Sequence, residues 1–138
     1  MGRILALDMG EKRVGLAISD PLGVIAQPLK TIQRQSNNQL ISELKKVIGE
    51  NAVEKVVIGN PMRLNGDKSR MTIAIEEIIS RLREEISIPM VFEDERFTTR
   101  MAISSLHQMG KKVGKARDKI DQIAAAHILQ LYLERKRR

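Results

Sequence analysis

Two short apolar runs, Ile4-Leu5-Ala6-Leu7 and Val14-Gly15-Leu16-Ala17-Ile18, flank Asp8-Met9-Gly10-Glu11-Lys12-Arg13 near the start of the chain. Runs of that length between turn signals read as buried strands. The segment between them suits a hairpin turn, with Gly10 supplying the bend. The chain is therefore expected to open on two antiparallel strands, with one carboxylate, Asp8, where the first strand leaves the core. An acid in that place is costly unless a metal ion, a cation or backbone N–H groups compensate it. Gly10 and Gly15 leave room for a phosphate or a second backbone. A turn-capping role would account for Asp8 equally well, so the rest of the chain must discriminate.

Asp20-Pro21-Leu22-Gly23 reads as a turn, and Val24–Ile32 as a third strand. Pro28 cannot donate to a ladder, so this strand should be an edge or carry a bulge. Ser36 and Gln39 have capping-box spacing and open a helix with Leu40, Ile41, Leu44, Val47 and Ile48 on one face. Gly49 is the expected stop. Lys55–Gly59 reads as a strand buried on both faces. The loop 60–68 leaves its C-terminal end, where open α/β sheets place ligand sites. A second helix is expected over 69–86, with Met71, Ile75, Ile78, Ile79, Leu82 and Ile86 at helical spacing. A fifth strand follows over 88–93, then a short helix over 99–109 capped by Thr98 or Thr99. The last helix spans 117–134, with Ile120, Ile123, Ala124, His127, Ile128 and Leu131 as its buried stripe. His127 on that stripe reads as a core histidine. Each late strand is preceded by a helix, which predicts parallel pairing by crossover.

Composition restricts the function classes. A chain of 138 residues suffices for one domain over 1–138 and is too short for two. With no cysteine there is no disulfide, thiolate metal site or thiol nucleophile. No apolar run approaches the ~20 residues of a membrane span, and the N-terminus lacks a secretory pattern, so the cytoplasm is expected. The formal net charge of +7 favours a polyanionic partner. One basic stretch, Lys111, Lys112, Lys115 and Arg117, is punctuated by Gly110 and Gly114, and Arg135–Arg138 forms a basic tail.

Acids from three distant segments are candidates for one site. Asp8 ends the first strand, Glu93, Asp94 and Glu95 end the fifth, and Asp118 and Asp121 lie at the start of the last helix. Strand alternation sends Glu93 and Glu95 to one face and Asp94 to the other. Asp118 also suits a helix N-terminus, whereas Asp121 is inside the helix beside Ile120. If the strand ends and the helix meet, the acids could hold hard divalent cations such as Mg²⁺, which take one or two carboxylates plus phosphate and water. Two such ions activate a water and stabilise the leaving oxygen in phosphodiester cleavage. The basic loop and tail would hold the phosphate backbone. Gly66-Asp67-Lys68-Ser69 lacks P-loop spacing, and Ser19 has no evident base partner.

Asp8-Met9-Gly10-Glu11-Lys12-Arg13-Val14-Gly15-Leu16-Ala17 resembles the opening motif of the YqgF (RuvX) family, the pre-16S rRNA nucleases and Holliday-junction-resolvase-like proteins. The resemblance continues, in order, through Val57-Ile58-Gly59-Asn60-Pro61, Asn65-Gly66, Asp94-Glu95-Arg96-Phe97-Thr98-Thr99 and Asp121-Gln122-Ile123-Ala124-Ala125. It implies an RNase H-like α/β fold: a five-stranded mixed sheet, three strands antiparallel and two parallel, flanked by helices. It also implies Asp8, Glu95 and Asp121 as the catalytic, metal-binding acids, with Asp94 as second choice and Mg²⁺ or Mn²⁺ as cofactor. Arg13 and Arg96 would face substrate phosphate or orient carboxylates, and Thr98 and Thr99 would bind phosphate or cap a helix. Related resolvases carry an acid near the fourth strand, whereas this chain has Gly59-Asn60-Pro61 there.

The leading expectation is a metal-dependent endonuclease that processes the 5′ end of pre-16S rRNA in ribosome biogenesis. A Holliday junction resolvase acting on four-way DNA and a nonenzymatic RNA-binding assembly factor are the alternatives. With one Tyr and two Phe, base stacking on an aromatic platform is not expected, which favours backbone or shape recognition. Actin-like phosphotransferases share an Asp-x-Gly hairpin but need two such domains around ATP.

Overall fold

The first two strands, β1 (Arg3–Met9) and β2 (Arg13–Ser19), form the expected antiparallel hairpin. It is seen in a computed structural model that describes residues 2–10, 12–60, 70–94 and 117–136. The Gly10 N–H donates to the Arg13 carbonyl at 2.9 Å and closes the turn. The third strand, β3 (Ala26–Gln33), pairs antiparallel with β2. Leu16 faces Lys30 while Ala17 faces Pro28, so Leu29 is an extra residue in the ladder. Pro28 thus sits both on an edge strand and beside a bulge, the two places where its missing N–H does no harm.

The later strands β4 (Val53–Asn60) and β5 (Met90–Asp94) add in parallel, giving the order β3-β2-β1-β4-β5. Helices α1 (Asn37–Glu50) and α2 (Arg70–Glu85) cover one face of this sheet, and α3 (Arg117–Lys136) covers the other. The two faces differ in residue size. Toward α1 and α2 the sheet shows Leu5, Leu7, Leu16, Ile18 and Ile58. Toward α3 it shows Ala6, Ala17 and Val57, small enough to let the helix approach closely.

The capping prediction for α1 holds. Ser36 Oγ accepts from the Gln39 N–H at 3.1 Å, and Gln39 Oε1 accepts from the Gln35 N–H at 3.1 Å. All five expected apolar residues of α1 are buried. Gly49 does not end the helix, which continues to Glu50. The chain turns instead at Asn51 and at Ala52, whose φ of 51° lies in the left-handed region. Interior glycine costs a helix roughly 1 kcal/mol, less than the burial of that apolar face provides.

The expected stripe on the last helix is also corrected. The buried residues of α3 are Ile120, Ala124, Ala125, Ile128, Leu129, Tyr132 and Leu133. Leu131 is 51% exposed. His127 is half-buried beside Ala26, Pro28 and Gln130 in a shallow groove at the β3 edge, so it is not a core histidine. The short helix expected over 99–109 lies outside the described residues.

Asp20 explains how the chain leaves β2. Its Oδ1 accepts from the N–H groups of Val24 at 2.7 Å and Ile25 at 2.9 Å, and Gly23 supplies a φ of 71°. These backbone donors favour the charged carboxylate and lower its pKa from the ordinary 3.8. A depressed pKa means the turn's stabilisation is complete above the unfolded value and is lost as pH falls through the folded one. The Val24 and Ile25 amide NMR resonances are therefore expected to titrate together, with one midpoint below 3.8. Independent midpoints, or one above that value, would contradict the turn as described.

Candidate active site

The centre of the site is a row of residues crossing the sheet. Thr31 pairs with Gly15, and Gly15 pairs with Asp8. Leu7 pairs with Ile58, so one residue further on Asp8 comes beside Gly59, which in turn pairs with Glu93. The row reads Thr31, Gly15, Asp8, Gly59, Glu93. Register partners share a face. The face is the α3 face, because Ala6 and Ala17, two residues before Asp8 and after Gly15, pack under α3. Asp8 therefore stands between two glycines on the side that α3 covers, and is 9% exposed. At about 4.8 Å per strand, the backbones of Asp8 and Glu93 are roughly 10 Å apart.

Gly15 is where α3 touches down. A Cβ built on Gly15 would overlap the main-chain carbonyl of Asp121 and would lie 2.8 Å from the Asp121 Cβ. Opposed residues in a sheet have Cβ atoms about 5 Å apart. The Cβ atoms of Asp8 and Asp121 are therefore within roughly 8 Å of each other, close enough for both carboxylates to reach one ion. The glycine brings together two acids separated by more than a hundred residues of sequence.

Arg13 lies two residues before Gly15 on the same face. Its Nε donates to Asp121 Oδ2 at 2.8 Å, and both side chains are about four-fifths covered. Gln122, the next residue of α3, donates through Nε2 to Thr31 Oγ1 at 3.2 Å and fixes the helix on the β3 side.

Among the described residues no group of three or more acids, histidines or cysteines is placed to hold a metal ion. Glu95, Arg96, Thr98, Thr99, Lys111, Lys112 and Lys115 lie outside the described residues. Asp94 is the last residue of β5, paired with Asn60, and Arg117 is the first residue of α3. The site also contains contacts that the sequence did not indicate. Glu93 closes the row and is gripped by Arg135, whose Nη1 and Nη2 reach its two carboxylate oxygens at 2.6 and 2.5 Å. Alternation had placed Glu93 on one face with Glu95, but nothing in the sequence points to Arg135 as its partner. Gly15 was read as space for a ligand or a backbone, and a helix backbone is what fills it.

The topology and the placement of Asp8 on the first strand define an RNase H-like, resolvase-type domain. The solved structure of Thermus thermophilus RuvC with a Holliday junction superposes with a TM-score of 0.63 at 12% identity, covering 99% of this chain and 96% of that one. At that identity the likeness speaks for the fold alone. Sequence carries the assignment further. The model of the RuvX family, described as Holliday junction resolvase, matches residues 2–135, and the chain belongs to this family of nucleases. A Koribacter versatilis protein named "Putative pre-16S rRNA nuclease" is 40% identical, over 98% of this chain and 88% of its own length. A Corynebacterium jeikeium protein of the same name is 39% identical, over 99% and 89%.

Proposed function

We propose that this chain acts as a single-domain, metal-dependent endonuclease that hydrolyses a phosphodiester bond in the 5′ leader of pre-16S rRNA, in the cytoplasm. The carrying observation is the approach of Asp121 to Asp8 across Gly15. Membership of a nuclease family, the names of its relatives and a net charge of +7 support the same reading.

The donor set fits Mg²⁺ or Mn²⁺. Two carboxylates on a rigid strand and helix offer hard oxygen ligands, and such ions complete their shell with substrate phosphate and water. When bound, the metal would activate water and offset the charge that develops on the phosphate. The protein's share is positioning. Asp8 and Asp121 hold the metal. Arg13, through Nε, keeps the Asp121 carboxylate turned toward the site. Glu95, two positions beyond Glu93, is the proposed third acid, with Asp94 as the alternative. Arg96, Thr98, Thr99, Lys111, Lys112, Lys115 and Arg117 are proposed to hold the backbone on either side of the cleaved bond.

A second reading, resolution of four-way DNA junctions, is favoured by the family's description. It would ordinarily need a symmetric dimer with two such sites. Incubation of the protein with a pre-16S leader RNA and with a four-way junction separates the two. Cleavage of the RNA is expected with Mg²⁺ or Mn²⁺ and not in EDTA, with the junction intact. Resolution of the junction alone would establish the second reading, and cleavage of neither by folded protein would leave an RNA-binding assembly factor.

A further inference from the structure

Tyr132 on α3 is 2% exposed and surrounded by cations. Lys55 Nζ donates to its hydroxyl at 2.8 Å and lies 5.5 Å from the ring centroid. The Arg135 guanidinium and Lys136 Nζ lie 5.9 and 5.6 Å from the same centroid. The carboxylate seen at this cluster is Glu93, and Arg135 takes both of its oxygens. Among the described residues three cations meet one acid here, and the sequence continues with Arg137 and Arg138. Like charges gathered on one ring repel. The ring quadrupole offsets part of that, at about 0.5–1 kcal/mol for each exposed cation. An arrangement of this kind is suited to receiving an anion.

Its position indicates which anion. Lys55 lies on the α3 face of β4, two residues before Val57. Asp121 and Arg135 are fourteen residues apart on the same helix, a distance of about 21 Å at 1.5 Å per residue. The cluster and the acid pair therefore occupy opposite ends of one helix on one face of the sheet. Glu93 links the two, since its strand position is in the row of Asp8 and its carboxylate is held by Arg135. Unpaired, it would repel a polyanion passing from one end to the other, and the two-pronged grip of Arg135 neutralises it.

We propose that Lys55, Arg135 and Lys136 around Tyr132 form a second phosphate-binding surface, which holds the substrate backbone a few nucleotides from the cleaved bond. This deepens the nuclease reading and rests on it for the identity of the strand. The surface binds phosphate rather than bases, because its one ring is buried under the cations.

Metal-free binding tests the surface independently of cleavage. Fluorescent RNA hairpins with single-stranded flanks of about 1 and about 12 nucleotides fall short of the surface and reach past it. They are titrated in EDTA at several salt concentrations against the wild type and the Lys55→Gln/Lys136→Gln variant. The wild type is expected to bind the long-flank RNA at least ~5-fold tighter, and the variant to lose that preference. Its salt slope on the long RNA should fall by about 1.4, for two contacts at ~0.7 each on a single strand. Lys136→Glu, an exposed helix position, gives the same test if the Lys55 change lowers stability. A DNA hairpin of equal flank length shows whether the strand's sugar matters, and an equal gain assigns the surface to the phosphates of either. Equal affinity of the wild type for both flanks, or the same loss on both, overturns the proposal. Cleavage without any flank dependence would leave the nuclease reading standing and remove this surface. Flank-dependent binding without cleavage would do the reverse.

Discussion

Replacing Gly15 by alanine is expected to destabilise the protein by at least about 2 kcal/mol, as overpacking of a close-packed contact does. The added methyl would meet main-chain atoms of Asp121, which belong to a hydrogen-bonded helix and cannot rotate away like a flexible side chain. Either α3 lifts from β2 or the β1–β2 pair bends, and both movements separate Asp121 from Asp8. A displacement of about 1 Å at reacting groups costs on the order of 100-fold in rate, so cleavage should fall at least that far. Gly49→Ala is the matched control. A Cβ there meets nothing within 4 Å, and the residue lies inside α1. It should stabilise by about 0.5–1 kcal/mol and leave cleavage unchanged. Urea unfolding of the two variants beside the wild type measures both signs. Wild-type stability for Gly15→Ala would mean that α3 does not rest on this glycine.

The same glycine shows what a linear reading could reach. The hairpin, the edge position of Pro28 and the cap at Ser36 were legible because each depends on residues a few positions apart. The apolar face of α1 was legible for the same reason, since a strict 3–4 spacing leaves one phase. The stripe of α3 was read half correctly: Ile120, Ala124 and Ile128 are buried as expected, while Ile123, His127 and Leu131 give way to Ala125, Leu129, Tyr132 and Leu133. Ile123-Ala124-Ala125-Ala126 is apolar on every side of a helix, so periodicity there does not choose a face. The sheet chooses it, by presenting Ala6, Ala17 and Gly15 for close approach. Asp8 and Asp121 stood out as acids against apolar neighbours. Their meeting did not, because it depends on a helix crossing a strand 106 residues away in the chain, at Gly15. The pairing of Glu93 with Arg135 escaped notice for a related reason. An acid at a strand end and an arginine in a basic tail each look solvated until the tertiary fold puts one on the other.

Asp8→Asn is expected to abolish cleavage while leaving the fold intact, with a loss of at least about 1,000-fold in kcat/KM, or roughly 4 kcal/mol of transition-state stabilisation. Asparagine keeps the volume of the side chain between Gly15 and Gly59, so packing on the α3 face should not change. The negative charge is what disappears. An amide oxygen is a far weaker ligand for a hard divalent cation than a carboxylate. Binding should move the opposite way. In EDTA, the negative charges of Asp8 and Asp121 both act against the phosphates of a bound strand. Removing the Asp8 charge should therefore tighten metal-free RNA binding, by about threefold for a partly screened contact worth under 1 kcal/mol. Opposite signs for cleavage and binding in one variant separate this role from a structural one, which would weaken both. Asp121→Asn should also lose cleavage. Its metal-free RNA binding should tighten as well, because the Arg13 guanidinium is then released from its carboxylate and can turn to a phosphate. Full cleavage by Asp8→Asn, measured on the leader RNA with Mg²⁺ and with Mn²⁺, would remove the acid pair from the mechanism.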